Sequence, residues 1–409
     1  MKVTGITAEY DPFHRGHLYQ LRRAGELTGA DGLVVVLGGD FLQRGTPCAV
    51  PKALRAKAAA EAGADLVIQL PYIYSVNSSS EYTRGAVSIL EGIGCADSIS
   101  FGCETDDAGL LERASEASED ENLSSCIKEN LGEGMSYAEA LTRSAEKFYG
   151  SEISDVLRRP NNLLACGYLA ALREKKSGIR PVPVLRKETG EDGAAEYASA
   201  SYIRGLLSSG EIGKALELVP KASADVLREL FSDGGSAASY FETADRNMLN
   251  LLKYRVMTAD RSELADIYSV TEGIEARVIE AAQRCGDGTL DDFTDAVKTK
   301  RYTRSRISRM LVHMLMNFHA GDFAYLKGVS YARVLAFSEK GRQILAHMKK
   351  TSDIPVISNL AGLSKYGGRV RKSIQLDIRA AGIYNMIHGG TDITGGEYRY
   401  VPYISRRTE

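Results

Sequence analysis

The chain has 409 residues, of which 44% are hydrophobic and 25% charged, and its formal net charge at pH 7 is −2. These values are ordinary for a soluble globular protein, and the length predicts two or three domains. No apolar run is long enough to span a membrane, no secretory signal is evident, and the six cysteines form no Cys-x-x-Cys pair. We therefore expect a cytoplasmic protein with reduced thiols, no membrane association and no metal site of its own.

The first predicted element is a strand at Val3–Ala8, which leads through a proline-containing turn to His14-Arg15-Gly16-His17 at the start of a helix. Free backbone N–H groups and the positive end of the helix dipole favour an anion there. Residues three apart share one face of the first turn. We therefore expect His14 and His17, at an exposed helix start, to hold a nucleoside triphosphate and stabilise charge at its α-phosphorus. Gly16 would let the ligand approach the backbone; the alternative is a pair of surface histidines.

Strands and helices alternate through the first two hundred residues. Further strands are predicted at Gly32–Leu37, 65–70, 97–102 and 183–185, and helices at Lys52–Ala62, 79–90 and 162–173. This order predicts an α/β fold over residues 1–205, with an open parallel sheet that binds ligands at the carboxyl ends of its strands.

Polar residues follow the second strand. Asp40, in a Gly-Gly-Asp loop, is a candidate for orienting a donor or a bound water, and the alternative is a connecting loop. Lys52 and Arg55 open the next helix. They would either extend the phosphate site or lie on the helix surface.

Two further segments offer ligand contacts near strand ends. Asn161 and Asn162 begin a helix and offer amides to a base or ribose, although an Asn at a helix start is common for structural reasons. Ser199, Ser201 and Arg204 combine hydroxyls, a helix start and a guanidinium, which suits a β,γ-phosphate group. Helix capping alone is the alternative.

From residue 206 the apolar spacing is helical, so we assign residues 206–409 to a mainly α-helical domain. Residues 293–409 carry 20 Lys and Arg against 8 Asp and Glu, whereas residues 1–160 carry 15 against 24. A dense basic run comprises Lys298, Lys300, Arg301, Tyr302 and Arg304. Because cations contact phosphates and Tyr302 would stack on an unpaired base, this run predicts RNA binding. A solvated basic face is the alternative.

Together these segments resemble the bacterial tRNA(Met) cytidine acetate ligase family, members of the HIGH-type nucleotidyltransferase superfamily. The resemblance is carried by GITAEYDPFHRGHLYQL, GGDFLQRGTP, DLVIQLPYIYSVNSSSEY, DSISFGCE, RRPNNLLACGYLAAL, YASASYIR and KTKRYTRSRISRML. The sequence departs from the family pattern at Asp11, at Asp40 and in the loop 187–196.

The resemblance implies a Rossmann-like HIGH nucleotidyltransferase domain followed by a tRNA-binding domain. It implies that ATP, with Mg²⁺, activates acetate as acetyl-adenylate, and that the acetyl group passes to N4 of the wobble cytidine of elongator tRNA(Met), giving N4-acetylcytidine. The ATP-binding residues that it implies are Thr7, Ala8, Glu9, Tyr10, Pro12, Phe13, His14, Gly16, His17, Gln20, Gly102, Asn161 or Asn162, Arg186, Ser199, Ser201 and Arg204.

Two other functions stay open. The first is a HIGH-type adenylyltransferase acting on a small phosphate ester, which would leave the basic helical part without a purpose. The second is a non-catalytic RNA-binding protein, against which the intact His14 and His17 pair argues. For the acetyl transfer we take Asp40 as the candidate proton acceptor, with the AMP phosphate as the alternative.

Overall fold

A mostly parallel sheet organises the protein. The computed structural model describes residues 1–187, 197–232, 236–299 and 302–407. In that part of the chain eight strands form one sheet in the order β5-β4-β1-β2-β3-β6-β7, with β8 beside β6. The strands are β1 Val3–Ala8, β2 Gly32–Leu37, β3 Leu66–Gln69, β4 Ser98–Cys103, β5 Arg180–Leu185, β6 Ala332–Phe337, β7 Val356–Ile357 and β8 Tyr403–Ile404.

The first five strands are all parallel, which confirms the predicted α/β fold. Alternate residues of β2 face different cores: Val34 and Val36 belong to one apolar cluster, and Val35 and Leu37 to another. A strand that is buried on both faces needs a continuous apolar run, and GLVVVL supplies one.

Helices surround the sheet and fill the chain between β5 and β6. They are α1 Arg15–Thr28, α2 Lys52–Ala62, α3 Tyr72–Ser75, α4 Ser79–Gly92, α5 Ala108–Ser118, α6 Glu121–Gly132, α7 Tyr137–Tyr149, α8 Ser151–Arg158, α9 Pro160–Lys175, α10 Ala200–Ser208, α11 Ile212–Glu217, α12 Lys221–Leu230, α13 Ala237–Thr258, α14 Arg261–Ala265, α15 Ile274–Arg284, α16 Leu290–Val297, α17 Arg304–Leu315, α18 Ala320–Leu326, α19 Glu339–Thr351 and α20 Gly368–Ile387, with a 3-10 turn at Leu363–Lys365. Among these helices, none combines the length and the apolar character that crossing a bilayer requires.

The C-terminal part returns to the sheet. Strand β6 pairs antiparallel with β3, and both β7 and β8 pair in parallel with β6. The sequence analysis placed no strand beyond residue 206. Three strands therefore lie among the C-terminal helices and extend the sheet of the N-terminal part.

Candidate nucleotide site

His14 and His17 fix each other at the start of α1. The Nδ1 atom of His14 accepts a hydrogen bond from the Gly16 backbone N–H at 3.0 Å, and the Nδ1 atom of His17 accepts one from the His14 N–H at 3.3 Å. The two imidazoles thus form a capping box, and their rings stack with centroids 3.6 Å apart. Because each Nδ1 is an acceptor, each neutral ring carries its proton on Nε2. The pair therefore carries two N–H groups, and that of His17 also lies within reach of the Pro12 carbonyl.

Both imidazoles are held neutral. Burial lowers the pKa of His14 to about 3, and the nearby charges of Arg186 and Arg204 contribute to the shift. Burial, His14 and the same two arginines lower the pKa of His17 well below its usual value. Only 4% of His14 is exposed, so our expectation of an exposed helix start is wrong for this residue, because its ring occupies the cap position.

Gly16 makes room for the His14 ring. A Cβ atom at position 16 would lie 2.9 Å from Cε1 and 3.1 Å from Nδ1 of His14. Any side chain there would displace the imidazole. A glycine is therefore needed at position 16 for packing, in addition to the ligand access inferred from the sequence.

Buried aromatic residues support the pair. Tyr10 and Phe13 are 0% and 1% exposed and pack edge to face at 4.7 Å, and the Tyr10 ring lies 4.8 Å from that of His17. Ala8 and Pro12 are also buried, whereas Thr7, Gly16 and Gln20 are partly exposed. The side chains of Tyr10 and Phe13 position the histidines, so a contact from these two residues to ATP would involve their backbone.

Two cations flank the histidines. Arg204 donates hydrogen bonds to the Asp11 carbonyl at 2.6 Å and to Ser201 Oγ at 3.2 Å, which ties α10 to the turn before α1. Ser199 caps α10 by accepting from the Tyr202 N–H at 3.1 Å. The segment 199–204, predicted to face phosphates, thus lies beside the histidine pair.

Arg186 belongs to the same cluster, since its charge acts on both histidines. It is exposed, follows β5 and packs over Gly102, where a Cβ atom would lie 3.3 Å from its Cγ. The strand order reverses between β1 and β4, and such a crevice is the usual ligand site of an open α/β sheet. Neutral N–H donors with two guanidiniums in this crevice suit a triphosphate.

Asn161 and Asn162 differ in how available their side chains are to a ligand. Asn162 is 0% exposed, its Oδ1 accepts from the Glu104 N–H at 2.7 Å, and its Nδ2 donates to Thr105 Oγ1 at 2.9 Å. It therefore holds the loop after β4. Asn161 is partly exposed and donates to the Glu104 carboxylate at 2.7 Å, while its amide oxygen has no partner in the described ranges. Of the pair, Asn161 is the one with an oxygen available to a ligand.

Asp40 belongs to a buried charge network. It is 5% exposed and lies 2.9 Å from Lys52 Nζ, which also lies 2.7 Å from Glu397. Arg333, 1% exposed, pairs with Glu397 at 2.5 Å. This geometry gives Asp40 and Lys52 a structural role and does not support a catalytic one for Asp40.

Arg55 is a positioning residue, a role that differs from both alternatives offered by the sequence. It is 1% exposed, and its guanidinium donates to the carbonyls of Glu9 at 2.6 Å, Gly38 at 3.2 Å and Gly39. It thus joins the loops that follow β1 and β2, and it lies neither in the phosphate site nor on the surface. Helix α2 is rich in alanine and lacks a polar face, which is a signal that Lys52 and Arg55 are buried.

The basic run differs from its prediction. Lys300 and Arg301 lie outside the described residues, and Lys298 is exposed. Tyr302 is only 4% exposed, and its hydroxyl donates a hydrogen bond to the Thr271 carbonyl at 3.0 Å. The prediction that Tyr302 stacks on a base is therefore wrong, because the ring is buried. Arg304 pairs with two acidic residues of α16, Asp291 and Asp295.

Comparison with known proteins gives consistent results. The family described as HIGH Nucleotidyl Transferase matches residues 1–395. A protein named tRNA(Met) cytidine acetate ligase from Thermoanaerobacter sp. (strain X514) is 33% identical over 97% of this chain and 98% of its own length. One from Acetivibrio thermocellus is 35% identical over 95% of each chain. The crystal structure of Thermotoga maritima TmcAL bound with alpha-thio ATP is 27% identical, with a TM-score of 0.88 over 99% of both chains.

Proposed function

Because the chain belongs to the HIGH nucleotidyltransferases and, among them, to the tRNA(Met) cytidine acetate ligase family, we propose that it is an ATP-dependent acetate ligase acting on tRNA. In the first step acetate and ATP give acetyl-adenylate and pyrophosphate. In the second step the acetyl group passes to N4 of the wobble cytidine of elongator tRNA(Met), which releases AMP. The observation that carries the proposal is the stacked, mutually capped pair of His14 and His17 at the start of α1, with Arg186 and Arg204 close enough for their charges to act on both rings.

In the first step an acetate oxygen attacks the α-phosphorus and the bond to pyrophosphate breaks. The Nε2–H groups of His14 and His17 would donate to phosphate oxygens as their negative charge increases. Being neutral, they need no change of protonation at physiological pH. Arg204, Ser201 and the N-terminus of α10 would bind the leaving pyrophosphate.

In the second step the N4 amine attacks the acyl carbon, the bond to the AMP oxygen breaks, and the amine loses a proton. We take the AMP phosphate as the proton acceptor in place of Asp40, whose carboxylate is buried and paired with Lys52. The structure offers no support for an acyl-enzyme at Cys48, because this thiol is 0% exposed and burial raises its pKa well above the usual value.

Within the described ranges, no three His, Cys, Asp or Glu side chains come together as a possible metal site. The Asp11 carboxylate accepts from the backbone N–H groups of Ala49 and Val50, both at 2.9 Å. The Mg²⁺ that the family resemblance implies would enter bound to the phosphates of ATP.

The test is exchange of labelled pyrophosphate into ATP, followed by transfer of labelled acetate to tRNA. We expect exchange only with acetate present, and label on one anticodon cytidine of elongator tRNA(Met). A transcript with uridine at that position lacks the amine and should accept no label. Transfer from acetyl-coenzyme A without ATP, or ADP as product, would contradict the mechanism. Exchange that requires a small phosphate ester instead of acetate would favour the adenylyltransferase.

A further inference from the structure

The loop after β2 is in direct backbone contact with α17. Gly45, in this loop, has a φ of 81°, and a Cβ atom there would overlap the backbone of Ser308 and Arg309. Only glycine satisfies both the left-handed backbone and this close approach. The contact brings the basic C-terminal part against a loop at the carboxyl end of the sheet.

Arg309 is a half-buried cation without an anion. Its guanidinium lies 3.5 Å from the Gln43 carbonyl, and in the described part of the chain no carboxylate pairs with it. Burial, with the neighbouring charge of Arg306, lowers the pKa of Arg309 to about 10. Withdrawing an unpaired guanidinium from water is unfavourable. An anionic ligand would remove that penalty.

A short path of hydrogen bonds joins Arg309 to the nucleotide loop. The Gln43 N–H donates to the Glu9 carboxylate at 2.5 Å, and the Gln43 side chain donates to the Asn77 carbonyl at 2.5 Å. Glu9 directly follows β1 in the segment that leads to His14. Arg309 therefore lies at the boundary between the basic helices and the nucleotide site.

We propose that Arg309 binds a backbone phosphate of the acceptor RNA and thereby positions the reacting nucleotide beside the nucleotide site. The inference rests on the proposed function, because it takes the acceptor to be an RNA. A phosphate contact positions the RNA without reading its sequence. Arg309 is therefore a positioning residue for the acceptor.

The test compares Arg309→Gln with wild type, using an elongator tRNA(Met) transcript as the probe. We expect affinity to fall on the order of tenfold and the log–log salt slope to fall by about 0.7–0.9, as for one lost phosphate contact. Thermal stability should stay the same or rise, since an uncompensated buried charge is removed. Arg309→Lys keeps the charge and should recover most of the affinity and the slope.

Arg173→Gln is the matched control. Arg173 is also half-buried but pairs with Glu112 at 2.5 Å and Glu119 at 2.5 Å. This variant should melt at a lower temperature and bind the transcript like wild type. If Arg309→Gln instead lowers the melting temperature and leaves affinity and slope unchanged, Arg309 is structural and the inference fails. Failure of wild type to bind the transcript, or to exchange pyrophosphate with acetate, would overturn the proposed function itself.

Discussion

At the scale of single residues, His14 has two separable tasks. Its Nδ1 caps α1 and its Nε2–H is available to a phosphate. His14→Ala loses both, and we expect about 1 kcal/mol less stability from the lost cap and adenylation slowed by roughly 10²–10³-fold. His14→Asn keeps a good capping side chain but not the Nε2–H donor. It should regain stability in urea unfolding while pyrophosphate exchange stays slow; full exchange activity in His14→Asn would refute the donor role.

The low pKa of His14 also predicts how stability depends on pH. The folded protein keeps this ring neutral down to about pH 3, whereas the unfolded chain binds a proton near 6.5. The unfolded state therefore gains protons first as pH falls, and the contribution of His14 to stability decreases below about pH 6.5. Between pH 7 and 5, wild type should lose about 2 kcal/mol relative to His14→Asn in urea titrations. Parallel stability curves for the two proteins would show that the ring titrates normally.

Several residue roles depend on partners that are distant in the sequence. The spacing of His14 and His17 predicts their proximity, and the helix start at Ser199 predicts a polar cluster. By contrast, Asp40 pairs with Lys52, which in turn pairs with the distant Glu397, and Asn162 accepts a hydrogen bond from the loop after β4. A single sequence does not show such pairings. Without the fold, Asp40 and Asn162 therefore look like residues whose side chains are available to a ligand.

At the scale of elements, the close contact between the loop after β2 and α17 makes the stability of the protein sensitive to substitution of Gly45. Gly45→Ala combines a left-handed backbone, which costs a non-glycine residue about 1–2 kcal/mol, with a backbone overlap. Gly273→Ala is a control, because Gly273 is left-handed with a φ of 75° and a ψ of 15° but has nothing within 4 Å of the added Cβ. Gly45→Ala should lower the free energy of unfolding clearly more than Gly273→Ala. Equal losses would mean that the loop readily moves away from α17.

The elements differ in how well the sequence predicts them. The first five strands alternate with helices along the chain, so an open parallel sheet could be predicted, although its strand order was not. Strand β6 (ARVLAF) is a short apolar run within a helical region, and such a run does not distinguish strand from helix. Its partner β3 lies more than 260 residues earlier, which no local pattern reveals.

At the scale of the whole molecule, the basic excess of the C-terminal part is only partly available to a ligand. Arg333 is buried against Glu397, and Arg304 is neutralised by Asp291 and Asp295. These cations form ion pairs within the protein and are not free to bind phosphates. The charge count alone therefore overstates the positive charge that a ligand can use. Lys298 and Arg309 have no carboxylate partner in the described residues, which makes them better candidates for phosphate contacts than Arg304.

The sheet also predicts that the two parts of the chain depend on each other. A fragment of residues 1–205 would lack β6 and leave β3 as an open edge, although Leu66, Val67 and Ile68 are each 0% exposed in the whole protein. It would also leave Lys52 without Glu397. Exposed apolar edges pair with other chains, so we expect the fragment to aggregate in size-exclusion chromatography and to melt without a cooperative transition. Co-expression with residues 206–409 should restore a soluble complex and acetate-dependent pyrophosphate exchange. A monomeric 1–205 fragment with a cooperative melt would instead show that the nucleotide-binding part folds alone, and that the C-terminal strands are an addition to a sheet already stable without them.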